Sequence, residues 1–344
     1  MEKIPEEILA HVTEVYGYDR ELFEKMVDAF DMGDDGCFTV RDENQNIRAF
    51  CFIAYTNYFY YGHVLKAVLG SCLGVTKYGD GKDIIKVMHQ ANRFAAHKVD
   101  VITLEALTER LVKIHQRITD SAFVGGNREE RLTQEEALAY PKNDDVSLRI
   151  LTADEFYPLY EQWIREQDYQ FAMIFSYDNI KKLEECIHLI AAYDTNGKVV
   201  GLTIVHKEEH YFSEHLEPMA FEAIDDRVRK AMIRYLAENY NQNHDGRNLL
   251  IRTYGKTDDP DFVVSALMIA SNVYKMLGIY AQAHPHEHRI IHLVSDRDPE
   301  VDDYYTISEG VATYTKEPIE GAERMTHKEL SRLLIPYSNC CFFF

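Results

Sequence analysis

The segment Val68 to Met88, VLGSCLGVTKYGDGKDIIKVM, carries an apolar strand through a glycine-punctuated turn into an amphipathic helix. Such a junction suits a pyrophosphate, because the first N–H groups of a helix lack intrahelical partners and the aligned peptide dipoles add positive character. Gly79 and Gly81 permit close approach of a ligand, Lys82 offers a cationic contact at the rim, and Asp80 and Asp83 complete the loop. The same residues also fit a plain strand, turn and helix of an α/β layer. There is no GxGxxG motif in an N-terminal βαβ unit, so the junction suits coenzyme A better than a dinucleotide.

Acyl transfer from a thioester to an amine asks a protein for orientation, a group to take the ammonium proton and an acid for the departing thiolate. Four segments bear on that chemistry in chain order: CLGV at Cys72–Val75 with the following GDGKDI, LEALTERLVKIHQRI at Leu104–Ile118, HLVSDRDPEVDDYYTISEGVATYTK, and MTHKELSRLLIP. The first 133 residues resemble a Gcn5-related N-acetyltransferase (GNAT) domain. The whole order resembles the Enhanced intracellular survival (Eis) group of acetyltransferases, in which two acetyltransferase folds precede a sterol-carrier-protein-like module.

The resemblance implies acetyl-CoA as co-substrate. It implies that backbone groups of Leu73, Gly74 and Val75 hold the pantetheine arm and that Gly79, Asp80, Gly81, Lys82 and Asp83 hold the pyrophosphate. Thr76 stands where that loop has Arg or Gln in the family, and His115, in Ile114-His115-Gln116-Arg117, stands where the family places its general-acid tyrosine. A histidine can relay protons near neutral pH, and a helix-surface histidine without a catalytic part fits the same position. The resemblance further implies that the carboxylate of Phe344 accepts the amine proton.

The tail itself gives that role independent support. Left in water, CCFFF would expose three phenyl rings whose burial is worth about 1.5–3 kcal/mol each, so it should dock. An α-carboxyl of ordinary pKa near ~3.5 becomes a useful base only if burial raises it. A last strand serving only as core is the plainer alternative. Cys341-Phe-Phe-Phe344 has the form of a prenylation box, yet its middle positions are aromatic and no basic run precedes it.

His284, His286 and His288 in HPHEH invite a metal reading, but Pro285 favours a loop and no second ligand cluster accompanies them. Cys37, Cys51, Cys72, Cys186, Cys340 and Cys341 lack metal or disulfide spacing, which fits a reducing cytoplasm. The N-terminus, MEKIPEEILAHV, lacks a signal-peptide pattern, and no run nears the ~18 apolar residues of a membrane span.

The chain has 344 residues, 46% of them apolar, enough for two or three cores. Its 57 acidic and 37 basic residues leave a formal charge of −20, which disfavours nucleic acid and anionic membranes and favours cationic small molecules such as polyamines or amino sugars. A solvated acidic surface kept for solubility explains the same charge. Dense tyrosines at Tyr55 to Tyr61 read as half-buried strand surface.

The elements that must position these residues read as a helical region over 4–31 interrupted near Gly17, a hairpin at Cys37–Arg41 and Ile47–Tyr55, an extended run at Tyr58–Lys66, a strand over 67–75, and a helix over 82–97. Val101–Leu104, a helix to about 118 and Ala122–Val124 complete a first unit. The polar segment EEALAYPKNDD marks a boundary. A second unit repeats the order without a glycine turn: Val146–Ile150, a helix over 154–166, a hairpin at Ala191–Tyr193 and Val199–His206, and a helix over Phe221–Tyr240. A helix over Val263–Leu277, strands at Ile290–Asp296, Tyr304–Ser308 and Val311–Lys316, and a helix capped by Thr326 and Glu329 follow.

The expected fold is α/β (α+β): two tandem acetyltransferase-type mixed sheets flanked by helices (1–140 and 146–260) and a C-terminal sterol-carrier-like α/β domain (261–344). The expected function is acetyl transfer to a primary amine of a cationic small molecule or lysine, with assembly into a homo-oligomer left open. The rival is a non-catalytic protein that binds an apolar ligand or a partner through its C-terminal domain.

Overall fold

A computed structural model describes residues 4–335, apart from 18, 34, 97, 107–108, 168–170, 208–214, 241–247, 256–263 and 296–298. The N-terminal helical region is two helices, α1 (Glu6–Tyr16) and α2 (Arg20–Ala29). Gly17 ends the first at φ 71°, a left-handed value that costs glycine little, and the Asp19 carboxylate starts the second by accepting from the Leu22 N–H at 2.9 Å. Leu22, Phe23, Met26 and Val27 form the buried stripe of α2.

Next come β1 (Cys37–Arg41), β2 (Ile47–Tyr60) and β3 (His63–Val75). The expected separate run at Tyr58–Lys66 is instead the end of β2 and the start of β3, joined at Tyr61 (φ 43°) and Gly62 (φ 84°). Two consecutive positive φ values give the tight turn whose twist matches flanking strands. Then follow α3 (Gly81–Ala95), β4 (Val101–Ala106), α4 (Glu109–Ile118) and β5 (Ala122–Leu132), which runs well past the expected Val124, and α5 (Gln134–Leu138).

The middle of the chain forms β6 (Ser147–Leu151), α6 (Ala153–Glu166), β7 (Phe171–Ile174), α7 (Tyr177–Leu183), β8 (Ile187–Tyr193), β9 (Val199–His206), β10 (His215–Leu216), β11 (Ala220–Ala223), α8 (Asp226–Tyr240) and β12 (Asn248–Gly255). The expected helix over Phe221–Tyr240 thus begins with a strand. Asp225 separates the two, its carboxylate accepting from the Val228 N–H at 2.8 Å. The last third forms β13 (Val264–Ala270), α9 (Val273–Ala283), β14 (Arg289–Val294), β15 (Tyr304–Ser308), β16 (Val311–Thr315), β17 (Glu323–Thr326) and α10 (His327–Leu334). The capping box of Thr326 and Glu329 is present.

These strands make three sheets among the described residues. One holds nine strands in the order β1-β2-β3-β4-β13-β5-β12-β10, with β7 also paired to β2; the others run β11-β9-β8-β6 and β16-β15-β14-β17. The large sheet therefore draws strands from all three expected segments. Its pairs β3·β4 and β10·β12 are parallel, and β14·β17 is parallel in the third sheet. The fold is mixed α/β, sheets flanked by helices.

Within Val263–Leu277, the expected helix, the first half is the strand β13, which pairs with β4 on one edge and β5 on the other. Leu267, Met268 and Ile269 are buried on both faces of the sheet, and a strand covered on both sides reads as a continuous apolar run with no period of two. Asn272 then caps α9. The helix α10 is tied to β13: Ser331 Oγ accepts from the Ala270 N–H at 3.0 Å, and His327 Nε2 lies 2.7 Å from the Ala270 carbonyl. Tyr60 donates from its hydroxyl to the Leu334 carbonyl at 2.6 Å. No helix among the described residues is long and apolar enough to cross a membrane.

Candidate functional site

The strands β3 and β4 form a fork. They pair in parallel from Ala67↔Val101 to Leu69↔Thr103, where the buried Thr103 hydroxyl donates to the Val68 carbonyl at 3.0 Å, and the pairing ends there although β3 continues to Val75 and β4 to Ala106. A bulge turns β3 at this point. Phe52 faces Ser71 and Phe50 faces Gly74, so Cys72 and Leu73 stand opposite Cys51 alone, and Cys72 takes φ 44°. An extra residue in one strand bends it and sharpens its twist, which re-aims the rest of β3 away from β4.

Both α3 and α4 cover one face of the fork. Val87 and Ala91 of α3 pack with Ile102 of β4, while Val112 of α4 packs with Leu104 of β4 and Leu267 of β13. Between α3 and the sheet a cavity of about 20 Å³ remains, lined among others by Val68, Gly70, Ala91 and Leu104. A Cβ at Gly70 would stand 3.1 Å from the Leu104 side chain, so the two residues close the root of the fork.

The expected residues Leu73, Gly74, Val75, Gly79, Asp80, Gly81, Lys82 and Asp83 lie together in the strand, turn and helix at the mouth of the fork. Their roles in the fold are unequal. Gly74 is small because the Phe50 ring crosses it; an added Cβ would lie 2.3 Å from that ring. Gly79 is small because the turn folds onto its own chain, with an added Cβ only 1.9 Å from the Arg48 carbonyl oxygen. Thr76 pins the turn: its N–H donates to the Arg48 carbonyl at 3.0 Å, its hydroxyl to the Ile47 carbonyl, and its own carbonyl accepts from the Gly79 N–H at 3.1 Å. At Gly81 there is open space, with nothing within 4 Å of an added Cβ.

The start of α3 departs from the expected row of open donors. Asp80 caps the helix by accepting from the Lys82 N–H at 2.7 Å, Asp83 reaches back to accept from the Asp80 N–H at 3.1 Å, and the Asp83 N–H donates to the Asp80 carbonyl at 3.0 Å. Asp83 is 1% exposed and faces inward. Arg48 Nη2 stands 2.8 Å and Lys86 Nζ 3.1 Å from its carboxylate. Burial pushes the Asp83 pKa up, and the hydrogen bonds from Lys86, the Asp80 N–H and Arg48 outweigh it and hold the carboxyl below its usual value. Lys82 is exposed at the rim.

His115 lies one turn beyond Val112 on α4, buried, with no hydrogen-bond partner for Nδ1 among the described residues. Burial lowers its pKa below the ordinary histidine value, because the imidazolium is the form that loses solvation. Phe344, with Cys340 and Cys341, lies outside the described residues. The HPHEH histidines separate: His284 Nδ1 sits 2.9 Å from the Tyr280 carbonyl and His288 Nδ1 2.9 Å from the Ser308 hydroxyl.

Arg48 and the strand β13 also shape the site, as do Gly70, Cys72 and Leu104 within the segments quoted above. Arg48 and Leu104 gave no local signal, since their partners are 35 and 34 residues away, as the numbering of Asp83 and Gly70 shows. For β13 the signal was the apolar run ALMIA, ending at a Ser-Asn pair.

No protein-family profile matches the sequence, and no curated protein does. The fold is similar to a GCN5-related N-acetyltransferase from Kribbella flavida, 12% identical, covering 94% of this chain and 85% of that one with a TM-score of 0.64. It is similar to Eis1 from Mycobacterium abscessus, 11% identical over 92% of this chain and 86% of that one, TM-score 0.56. It is also similar to the N-myristoyltransferase of Saccharomyces cerevisiae, solved with bound myristoyl-CoA, 13% identical over 78% and 76%, TM-score 0.54. At these identities the likeness is one of fold, and the fold is that of the GCN5-related N-acetyltransferases.

Proposed function

We propose that the chain is an N-acyltransferase that takes an acyl group from acyl-CoA, acetyl in the first instance, and passes it to a primary amine of a cationic small molecule or of lysine. One observation carries this reading: the fork between β3 and β4, bulged at Cys72 and opening toward the N-terminus of α3. A strand edge left by its neighbour accepts an amide-bearing arm by main-chain hydrogen bonds, so Leu73, Gly74 and Val75 hold the pantetheine. The pyrophosphate lies over the open space at Gly81, within reach of the exposed Lys82, with Gly79, Asp80 and Asp83 shaping the turn. The fold's likeness to acyl-CoA enzymes supports the donor.

His115 donates the proton to the departing thiolate, and the carboxylate of Phe344 takes the proton from the amine. Leu334, held at Tyr60, precedes a segment of ten residues that spans at most about 33–36 Å. The eight residue steps of β2 from Tyr60 back to Phe52, opposite the bulge, cover about 26 Å, so that segment is long enough for the role. The surrounding units belong to the same proposal: a second acetyltransferase-type unit over 146–260 and a sterol-carrier-like one over 261–344, in an Eis-like order, with β13 crossing back into the first sheet.

A specific observation favours a second reading, a protein of this fold that no longer binds coenzyme A. Asp80 and Asp83 place two carboxylates on the helix start that a pyrophosphate would occupy. Calorimetric titration with acetyl-CoA separates the two. The enzyme reading expects saturable binding and acetylation of spermidine or a lysine peptide; absence of both heat and thermal shift at millimolar acetyl-CoA leaves the binding protein.

A further inference from the structure

At the opposite end of β4 from the fork lies a cavity of about 360 Å³, between the start of β4, the start of α9 and the third sheet. Its walls include Asp100, Asp303, Tyr274, Tyr305 and Tyr314. That volume falls in the range of small-molecule sites. Tyr274 and Tyr314 meet edge to face with ring centroids 4.8 Å apart, and Tyr305 lies 6.3 Å from Tyr314, so three rings share one wall. Tyr274 and Tyr314 are 50% and 55% exposed, while Tyr305 is buried.

The two buried aspartates differ. Asp100 is fully engaged, accepting from the Lys66 N–H at 2.9 Å, Asn272 Nδ2 at 3.1 Å and Lys275 Nζ at 2.5 Å. Asp303 is 6% exposed, and its Oδ1 has no hydrogen-bond partner among the described residues. Lys316 Nζ stands 3.9 Å from it on a side chain that is 77% exposed. A buried carboxylate oxygen without a donor is costly, and an alkylammonium of the chain itself already approaches it without bonding. Lys98, which lines the cavity, is turned to the Phe94 ring at 3.4 Å and to Asp35 at 3.7 Å.

We infer that this cavity binds a small organic ammonium, a di- or polyamine, with one ammonium on Asp303 in place of Lys316 and the aliphatic stem and second charge along the Tyr274, Tyr305 and Tyr314 rings. Aromatic faces attract cations through their quadrupole, and the net charge of −20 raises the local concentration of such ligands. The inference stands apart from the acyltransferase reading, since the cavity lies at the root of β4 and needs no acyl donor.

Titration of the whole chain with spermidine, without acyl-CoA, tests it. Asp303→Asn is expected to weaken binding at least tenfold, Tyr274→Ala severalfold, and Lys316→Ala to tighten it; Gly70→Ala, in the fork, leaves it unchanged. Tyr274 and Lys316 are exposed, so those variants keep the test open if Asp303→Asn fails to fold. No binding at millimolar spermidine overturns the inference, as does affinity indifferent to Tyr274→Ala and Lys316→Ala, or affinity lost in Gly70→Ala.

Discussion

The chain contains the order helix, helix, three antiparallel strands, helix, strand twice: α1, α2, β1, β2, β3, α3, β4, and then α6, α7, β8, β9, β11, α8, β12, with β7 added between α6 and α7 and β10 between β9 and β11. The two halves part ways at the third strand. In the first, β3 stays paired with the strand that follows its helix for a short root and then leaves it; in the second, β11 and β12 belong to different sheets. A fork needs a floor as well as an opening, and only the first half has one. Helix packing follows suit. Val228 and Met232 of α8 come down onto Gly201 of β9, where an added Cβ would lie 2.5 Å from Met232 Sδ, while under α3 the small residues Ala91, Ala95 and Gly70 leave a cavity.

The turn before α3 breaks this comparison most sharply. Gly79→Ala drives a Cβ into the Arg48 carbonyl, a backbone atom that cannot swing aside, and is expected to cost roughly 3 kcal/mol. Gly81→Ala, two residues on, meets nothing and removes backbone freedom at a helix start, so stability should hold or rise by about 0.5 kcal/mol. Urea denaturation measures both. Gly81→Ala should still weaken acetyl-CoA binding several-fold, because the methyl occupies the space assigned to the pyrophosphate; full affinity in that variant would move the phosphate site elsewhere.

Helix-to-sheet spacing gives the next contrast. Gly201→Ala should cost about 1–3 kcal/mol through Met232, Val228 and the Glu222 carbonyl, with acetyl-CoA binding untouched. Gly70→Ala touches only the end of the Leu104 side chain at 3.1 Å, so it should cost about 1 kcal/mol or less while narrowing the fork. Reduced acyl-CoA affinity with near-normal stability is the expected result, checked by calorimetry beside the denaturation curves.

Local signals made the strand, turn and helix around Gly79 legible, because glycine spacing, an aspartate cap and an amphipathic stripe all act within a few residues. The Thr326 and Glu329 box was legible for the same reason. What escaped depends on distant partners. The strand β13 sits between β4 and β5 by virtue of contacts some 150 residues away in sequence, and burial on both faces erased its period. The donors of α3 looked open because a sequence shows where a helix starts but not that Arg48 and Lys86 would stabilise Asp83 in a buried inward position.

Asp83 gives the third test. Its folded pKa is depressed, so its contribution is present above the unfolded carboxylate value near ~3.9 and is lost as pH falls through the folded value. Asp83→Asn should therefore lower stability at neutral pH and flatten the acid limb of the stability curve below about pH 4. It also removes one carboxylate from the helix start, so acetyl-CoA affinity should rise if the pyrophosphate sits there. Equal or lower affinity would place the pyrophosphate away from the Asp83 carboxylate; no binding in either protein would favour the non-catalytic reading.

The smallest expected effect on stability is at His115. Burial depresses its pKa, so the neutral form is the one the fold prefers, and the stability it confers is present above the unfolded value near ~6.5 and lost as pH falls below it. His115→Leu, which removes an unpartnered buried nitrogen, should leave stability at pH 7.5 near that of the parent and lessen its decline toward pH 5, read by thermal melts at both values. As the acid of the proposed reaction, His115 is protonated in only a minority of molecules at neutral pH. Turnover should then fall as pH rises through the folded pKa of His115, which lies below the ordinary histidine value near ~6.5, and His115→Gln should remove that dependence along with most of kcat. A variant that melts as expected but turns over with the parent's pH profile would leave His115 as a core residue of α4 and assign the proton to another donor.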